Sequence, residues 1–196
     1  SAVLKDSSDS IQSVFNYPAN DSDWDKAYTP GANGLLEKTD PSPAATQGTC
    51  TVGEVDNSGG GNSGGGDSVG VGEWSVNEGN YLGVKISEIL VSSSSEEYDG
   101  VDLDGDGEVW QNSEQYIQLT NDGTSDVDIS DWTLDDNLAG GSAPCSIGWN
   151  TTISAGESMT FYRSKTQIIF DYYEDDFAVL KDINGAIQSM IKYPAK

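Results

Sequence analysis

The sequence predicts an all-β protein whose main body is a sandwich of short strands. Three observations carry this expectation. Runs rich in β-branched and aromatic residues alternate with clusters of Gly, Asn, Asp and Ser, the punctuation of strands and turns. No segment sustains the 3.6-residue apolar period of a helix. Eight such runs fall within about the last 110 residues, a density that suits two packed sheets.

The first element is a repeat. "AVLKDSSDSIQSVFNYPA" (2–19) returns as "AVLKDINGAIQSMIKYPA" (178–195), with 11 of 18 aligned positions identical at a constant offset of 176. Most differences fall in the turn between the two apolar runs. The closing copy reads as the clearer hairpin, because Asn184-Gly185 supplies the two positive-φ residues of a type I′ turn. The opening copy carries the weaker Ser7-Ser8-Asp9-Ser10 there. Alternation in the last strand puts Ile187, Ser189, Ile191 and Tyr193 on one face and Gln188, Met190 and Lys192 on the other. Ile11, Ser13, Phe15 and Tyr17 keep that pattern in the opening copy.

Residues 53–72, "GEVDNSGGGNSGGGDSVGVG", lack the means to bury a core and read as a flexible linker. Twenty residues of this kind span on the order of 25 Å, so the opening segment need not sit beside the body. The strand candidates that follow are 83–92, 114–121, 126–136, 145–149, 157–163, 166–171, 176–182 and 186–193. Tyr116 and Trp132 lie on strand patterns and read as core. Trp24, Trp74 and Trp110 fall outside the core strands and are expected at the surface, as anchors for an interface or a carbohydrate. The expected organisation is residues 1–50 as an opening hairpin and tail, 51–78 as linker, and 79–196 as the sandwich.

Composition closes off several functions. Thirty-three acidic residues against nine basic ones give a net charge of −24, which repels phosphate backbones and argues against nucleic-acid binding. The chain has no histidine, which removes the commonest acid–base catalyst, His-dependent triads and the commonest zinc sites. The expectation is a protein that is not an enzyme. No apolar run approaches the roughly 20 residues of a membrane-spanning helix. Cys50 and Cys145 form no CxxC pair; in an oxidising compartment they pair with each other or with another chain. Asn20-Asp-Ser22 and Asn150-Thr-Thr152 are glycosylation sequons.

The strongest local motif is "DLDGDGEVW" (102–110). Asp102, Asp104 and Asp106 at alternating positions, Gly107 for a sharp turn, and a backbone oxygen at Glu108 are what a hard cation such as Ca²⁺ requires to gather six to eight oxygens. The twelfth loop position, where a bidentate Glu would stand, is Ser113, and Glu114 follows one residue late. The expectation is an EF-hand-like calcium loop inserted between strands, with Asp99 or Glu114 completing it. The pairs Asp135/Asp136 and Asp175/Asp176 are adjacent, so on a strand they point to opposite faces. They read as solvated edge charges rather than as a glycosidase pair.

From about residue 79 the order of motifs resembles the lamin-tail domain, an immunoglobulin-like β-sandwich known from nuclear lamins and from secreted bacterial and archaeal proteins. "KISEI" (85–89) is similar to the family's first strand, "EQYIQLTN" (114–121) to its second, and "VDISDWTL" (127–134) to its "vdLsgWtL" signature, with Asp131 where the family usually has Gly. "ISAGESMTFY" (153–162) and "VLKDINGAIQSMIKY" (179–193) resemble the next strand entry and the closing hairpin. The stretch "DWDKAYTPGAN" (23–33) resembles the tail that follows such a hairpin in secreted relatives, so residues 1–33 look like the end of a preceding domain.

The resemblance implies a secreted or cell-surface protein. One function class is a structural or adhesive subunit or repeat of a filament or surface array, a homo-oligomer or polymer joined through residues 1–33. The other is a binding or accessory module of a longer secreted hydrolase of nuclease or phosphatase type. The first is the expectation carried forward, because residues 178–195 already fill the closing place and leave the first copy in need of a partner.

Overall fold

The computed structural model describes residues 2–5, 11–15, 27–32, 34–52, 73–76, 81–91, 102–109, 113–137, 141–170 and 176–193. The first strands along the chain are β1 (Ala2–Lys5), β2 (Ile11–Phe15), β3 (Ala27–Pro30), β4 (Leu36–Thr39), β5 (Cys50–Val52) and β6 (Glu73–Val76). The body adds β7 (Val84–Leu90), β8 (Tyr116–Asn121), β9 (Val127–Asp128), β10 (Thr133–Asp135), β11 (Cys145–Ile147), β12 (Thr152–Ile153) and β13 (Ser158–Tyr162). A single helical turn, α1 (Arg163–Thr166), precedes the closing β14 (Asp176–Lys181) and β15 (Ile187–Tyr193).

Two antiparallel sheets enclose the core. One has the order β13-β8-β7-β3-β4, the other β5-β11-β10-β14-β15-β6, and β12-β9 forms a small separate ladder. β7 crosses the sandwich interior, where Val84, Ile86, Ile89 and Leu90 are fully buried. Val84, Ile86 and Ile89 share one core cluster with Ile117 and Leu119 of β8, Trp132 and Leu134, Phe161, and Ala178, Leu180 and Ile191 of the closing strands, while Leu90 packs with Tyr116 and Tyr162 in a second, smaller cluster. Tyr116 and Trp132 are core residues, as expected. This is the immunoglobulin-like all-β sandwich that the sequence announces.

The division of the chain is different from the expected one. Residues 27–52 belong to the sandwich: Tyr28 pairs with Ile89 and is buried against the Tyr193 ring at 6.2 Å, and β5 pairs with β11. Gly31 and Ala32 follow β3 in the β3–β4 connection, where the Gly31 N–H donates to the Leu35 carbonyl at 2.8 Å; Asn33 lies outside the described residues. The segment from residue 27 therefore does sit beside the body. Of the linker 51–78, Thr51–Val52 and Glu73–Val76 are strand residues in the six-stranded sheet; residues 53–72 lie outside the described residues.

Between β4 and β5 the chain runs as a strap over β13. The Ala44 N–H donates to Thr160 Oγ1 at 2.9 Å, Thr160 N to the Thr46 carbonyl, and Gly48 N to the Thr160 carbonyl. These bonds occupy backbone groups that a bare edge strand would leave open. A disulfide between Cys50 and Cys145 fastens the end of the strap to β11.

Two local expectations are corrected. Residues 166–170, the described part of the expected strand 166–171, do not form one, although Ile168 and Phe170 are buried and Ile169 is half exposed. Side chains replace the ladder: Phe170 N donates to Gln115 Oε1, Ile169 N to Ser142 Oγ and Ile168 N to Thr166 Oγ1. In the closing hairpin only Gly185 has positive φ, at 80°. Asp182 Oδ1 accepts from the N–H of Asn184 and of Ala186, so an Asx-type turn replaces type I′. The second face of β15 is also covered, since Gln188 and Met190 are buried.

Candidate functional site

The acidic loop is built by its own carboxylates. Gly105 and Gly107 take φ of 76° and 85°, a region open to glycine at little cost. Those turns aim successive N–H groups inward. Asp102 Oδ1 accepts from Gly105 N at 2.6 Å and from Asp106 N at 3.2 Å, and its Oδ2 accepts from Gly107 N at 2.8 Å. Asp104 Oδ1 accepts from Asp106 N, and Asp106 Oδ1 from Glu108 N. One carboxylate oxygen from each of Asp102, Asp104 and Asp106 lies within 4.8 Å of the others. Hydrogen bonds led by the one from Gly107 N hold the Asp102 carboxyl below the ordinary aspartate range, so it is ionised throughout the physiological range.

Glu114 is not within that triad. It is fully buried; its Oε2 accepts from Leu103 N at 2.7 Å and its Oε1 from Ser113 Oγ at 2.6 Å. Burial raises its pKa, with the nearby Asp104 charge adding to the effect. Glu114 thus secures the root of the loop from beneath. Glu108 is exposed, and its N–H is committed to Asp106. Asp99 lies outside the described residues. The loop is tied to the body by Ser164 Oγ, which donates to Asp104 Oδ2, and by Gln47 Nε2 on the Asp104 carbonyl at 3.3 Å. The body on which it stands is therefore the strap and α1 together. A cleft of about 370 Å³ beside it is lined by Asp106, Glu108, Arg163 and Gln167 among others.

The remaining carboxylate candidates are structural. Asp135 and Asp136 are buried, not solvated edge charges. Asp135 pairs with Lys181 at 3.3 Å and Asp136 accepts from Ser142 N with both oxygens at 2.9 Å. Burial raises the Asp135 pKa against the opposing pull of Lys181. Asp176 is buried as well and accepts from the Tyr193 hydroxyl at 3.1 Å; Asp175 lies outside the described residues. Each is used to close a turn or strand end, an arrangement that leaves no carboxylate pair facing a common space among them.

Of the tryptophans expected at the surface, Trp24 and Trp110 lie outside the described residues, and the Trp74 backbone is in β6. Trp149, expected within a strand, is instead 86% exposed. It stands in a turn where Asn150 has φ of 60°, and the sequon residue Asn150 is exposed beside it. The signal for that turn was Gly148-Trp149-Asn150, with Gly and Asn flanking the ring. Asp131 likewise has φ of 61°, which explains why a glycine is usual there and shows that aspartate keeps the same turn. Asn121, the last residue of the "QLTN" pattern, is fully buried and donates to the carbonyls of Ser125 and Ile153.

The opening hairpin is the second feature. Among the described residues β1 and β2 pair with one another alone, in a two-stranded sheet. Ala2 faces Phe15, Val3 faces Val14, Leu4 faces Ser13 and Lys5 faces Ile11, with a register shift between Leu4 and Lys5.

The model of the Lamin Tail Domain family matches residues 77–195. A comparison with curated proteins gives no match.

Proposed function

The chain belongs to the lamin-tail-domain family, a family of immunoglobulin-like domains whose fold is consistent with a non-catalytic structural module, and from that premise we propose that it is a structural or adhesive unit of the cell exterior. In this reading it is a subunit or repeat of a filament or surface array, joined to its neighbours by strand contacts. The observation that carries the reading is the hairpin β1–β2, which forms a separate two-stranded sheet. A lone two-stranded hairpin is marginal in water, and the edges of an isolated strand pair offer backbone groups to a further strand. A neighbouring unit supplies what it lacks. The acidic surface and a disulfide suit an oxidising exterior. No helix among the described residues is long and apolar enough to cross a membrane.

The acidic loop serves this role as a calcium-dependent clamp. Asp102, Asp104 and Asp106 supply carboxylate oxygens, the Glu108 backbone adds another, and water completes the shell. Because the loop is bonded to Gln47 and Ser164, the ion steadies the strap as well as the loop. Calcium at 100 times its Kd stabilises the fold by about 2.7 kcal/mol. Thermal melting with calcium and with chelator tests this; an unchanged midpoint contradicts it.

Assembly is tested by amine cross-linking of the native cell exterior, read by mass spectrometry. Lys5, the lysine of the hairpin, is expected to be joined to a lysine of a neighbouring lamin-tail unit. Cross-links of Lys5 confined to residues 27–196 overturn the reading.

A further inference from the structure

The opening and closing hairpins share more than sequence. In the closing pair, Ala178 faces Ile191, Val179 faces Met190, Leu180 faces Ser189 and Lys181 faces Ile187, with the register shift between Leu180 and Lys181. Adding 176 to each residue number of the β1–β2 pairing reproduces this register, and the shift falls at the same place. Two hairpins with different turn sequences thus have the same backbone pairing.

The closing hairpin shows what that pairing is for. It lies between β10 and β6: Lys181, Leu180 and Val179 face Thr133, Leu134 and Asp135, while Ser189 to Lys192 face Val76 to Glu73. Three polar side chains reach from it into the surrounding body. Lys181 Nζ meets Asp135 at 3.3 Å, Gln188 Oε1 accepts from Leu82 N at 3.1 Å, and Ser189 Oγ accepts from Ile86 N at 3.1 Å. Gln188 and Ser189 are fully buried. Buried polar groups are tolerated only where such partners exist.

All three recur in the first copy, as Lys5, Gln12 and Ser13. Asp182, which accepts from Gln188 Nε2 at 3.0 Å, recurs as Asp6. Tyr193, packed on Tyr28 and Phe170, recurs as Tyr17. The differences are the turn residues 183–186, the half-buried Lys192, and two apolar exchanges, Val14 for Met190 and Phe15 for Ile191. What is kept are the polar groups that bond to the body and the tyrosine packed on it, while the two exchanged core positions remain apolar.

We propose that the hairpin β1–β2 is the closing hairpin of a second lamin-tail sandwich, seated between that unit's counterparts of β10 and β6. The partner is a lamin-tail body whose own closing place is open. An intact copy of this chain does not qualify, because residues 176–193 fill its single place between β10 and β6. In the partner, Lys5 meets the counterpart of Asp135, Gln12 accepts from the strand entry equivalent to Leu82, and Ser13 accepts from the equivalent of Ile86. The inference rests on the assembly reading above and names the joint.

The test is a graft within the full chain: residues 178–193 are replaced by the sequence of residues 2–17. The expected result is one cooperative melt no more than about 10 °C below the parent, the size of penalty that two apolar exchanges carry. A second arm adds a peptide of residues 1–19 to the full chain carrying Leu180→Asp, which weakens its own closing pair. The peptide is expected to raise the melting midpoint saturably, and a peptide with Gln12→Ala and Ser13→Ala to bind at least about tenfold more weakly. A graft that does not fold, a folded graft with no peptide effect, or equal binding by the altered peptide overturns the proposal. These measurements read fit alone. A failed graft leaves strand contacts of another kind open, whereas confinement of Lys5 cross-links to residues 27–196 sinks assembly even if the graft folds.

Discussion

Cutting the disulfide is the sharpest perturbation of the fold, because the bridge joins two neighbouring strands that are distant in sequence. Cys50 and Cys145 are 95 residues apart, and Cys145 is fully buried. On the chain-entropy relation a loop of that length is worth about 4.7 kcal/mol at 25 °C. For a domain of this size that corresponds to a fall of about 9–19 °C in melting midpoint. The structure also specifies where the loss begins. β5 is only three residues long and, among the described strands, pairs with β11 alone, so without the bridge the strap 40–52 is held by that short ladder and by scattered hydrogen bonds to Glu88, Gln118, Thr160 and the acidic loop. The assay is a calorimetric melt of the double variant Cys50→Ala, Cys145→Ala, paired with amide exchange at Gly48 and Thr160. Both amides are expected to exchange faster at temperatures below the melt. A midpoint change under about 3 °C with unaltered exchange would refute the reasoning, since the bridge would then be redundant with the strap.

Three further outcomes are expected. At Gly48 an added Cβ falls 2.2 Å from the Phe161 ring, so Gly48→Ala pushes the strap off β13 and lowers the midpoint, with faster exchange at Thr160; an unchanged melt contradicts the close approach. Burial raises the Glu114 pKa, so the stability its protonated form contributes is present below the unfolded value and lost as pH rises through the folded one. In chelator at pH 7, Glu114→Gln therefore melts no lower than the parent, and that margin disappears in acid; a lower midpoint at pH 7 contradicts the sign. Leu180→Ala empties a fully buried position and is expected to cost about 2–5 kcal/mol, whereas Leu4→Ala leaves the melt of the isolated chain unchanged; equal losses in urea titrations would place both leucines in one core.

The sequence made the sandwich legible where the code is local. β7, β8, β13, β14 and β15 alternate apolar and polar residues or run continuously apolar, so period and turn residues suffice to find them. β3, β4, β5 and β6 carry no such signal. "AYTP" contains a proline, "LEKT" is mostly polar, and "CTV" has three residues. Pairing with β7, β11 and β15 and a bridge across 95 residues make them strands, and none of that is encoded locally. Residues 166–170 depart from expectation in the opposite sense. Their alternation is real, but the Gln115 and Ser142 side chains take the hydrogen bonds a strand partner would have made. The acidic loop was readable from its spacing alone, because glycine at positions four and six fixes the turns that bring three carboxylates together. The role of Glu114 was not, since its distance from the triad depends on how the loop root packs.

The account turns on whether residues 2–15 join one unit to the next. The most direct measurement is electron microscopy of the native cell exterior when the chain is supplied with residues 1–26 removed, a cut that ends just before β3. The prediction is a sandwich that keeps its cooperative melt and no longer enters the array, leaving that array broken or absent. An array of unchanged order, built from the shortened chain, would contradict the account.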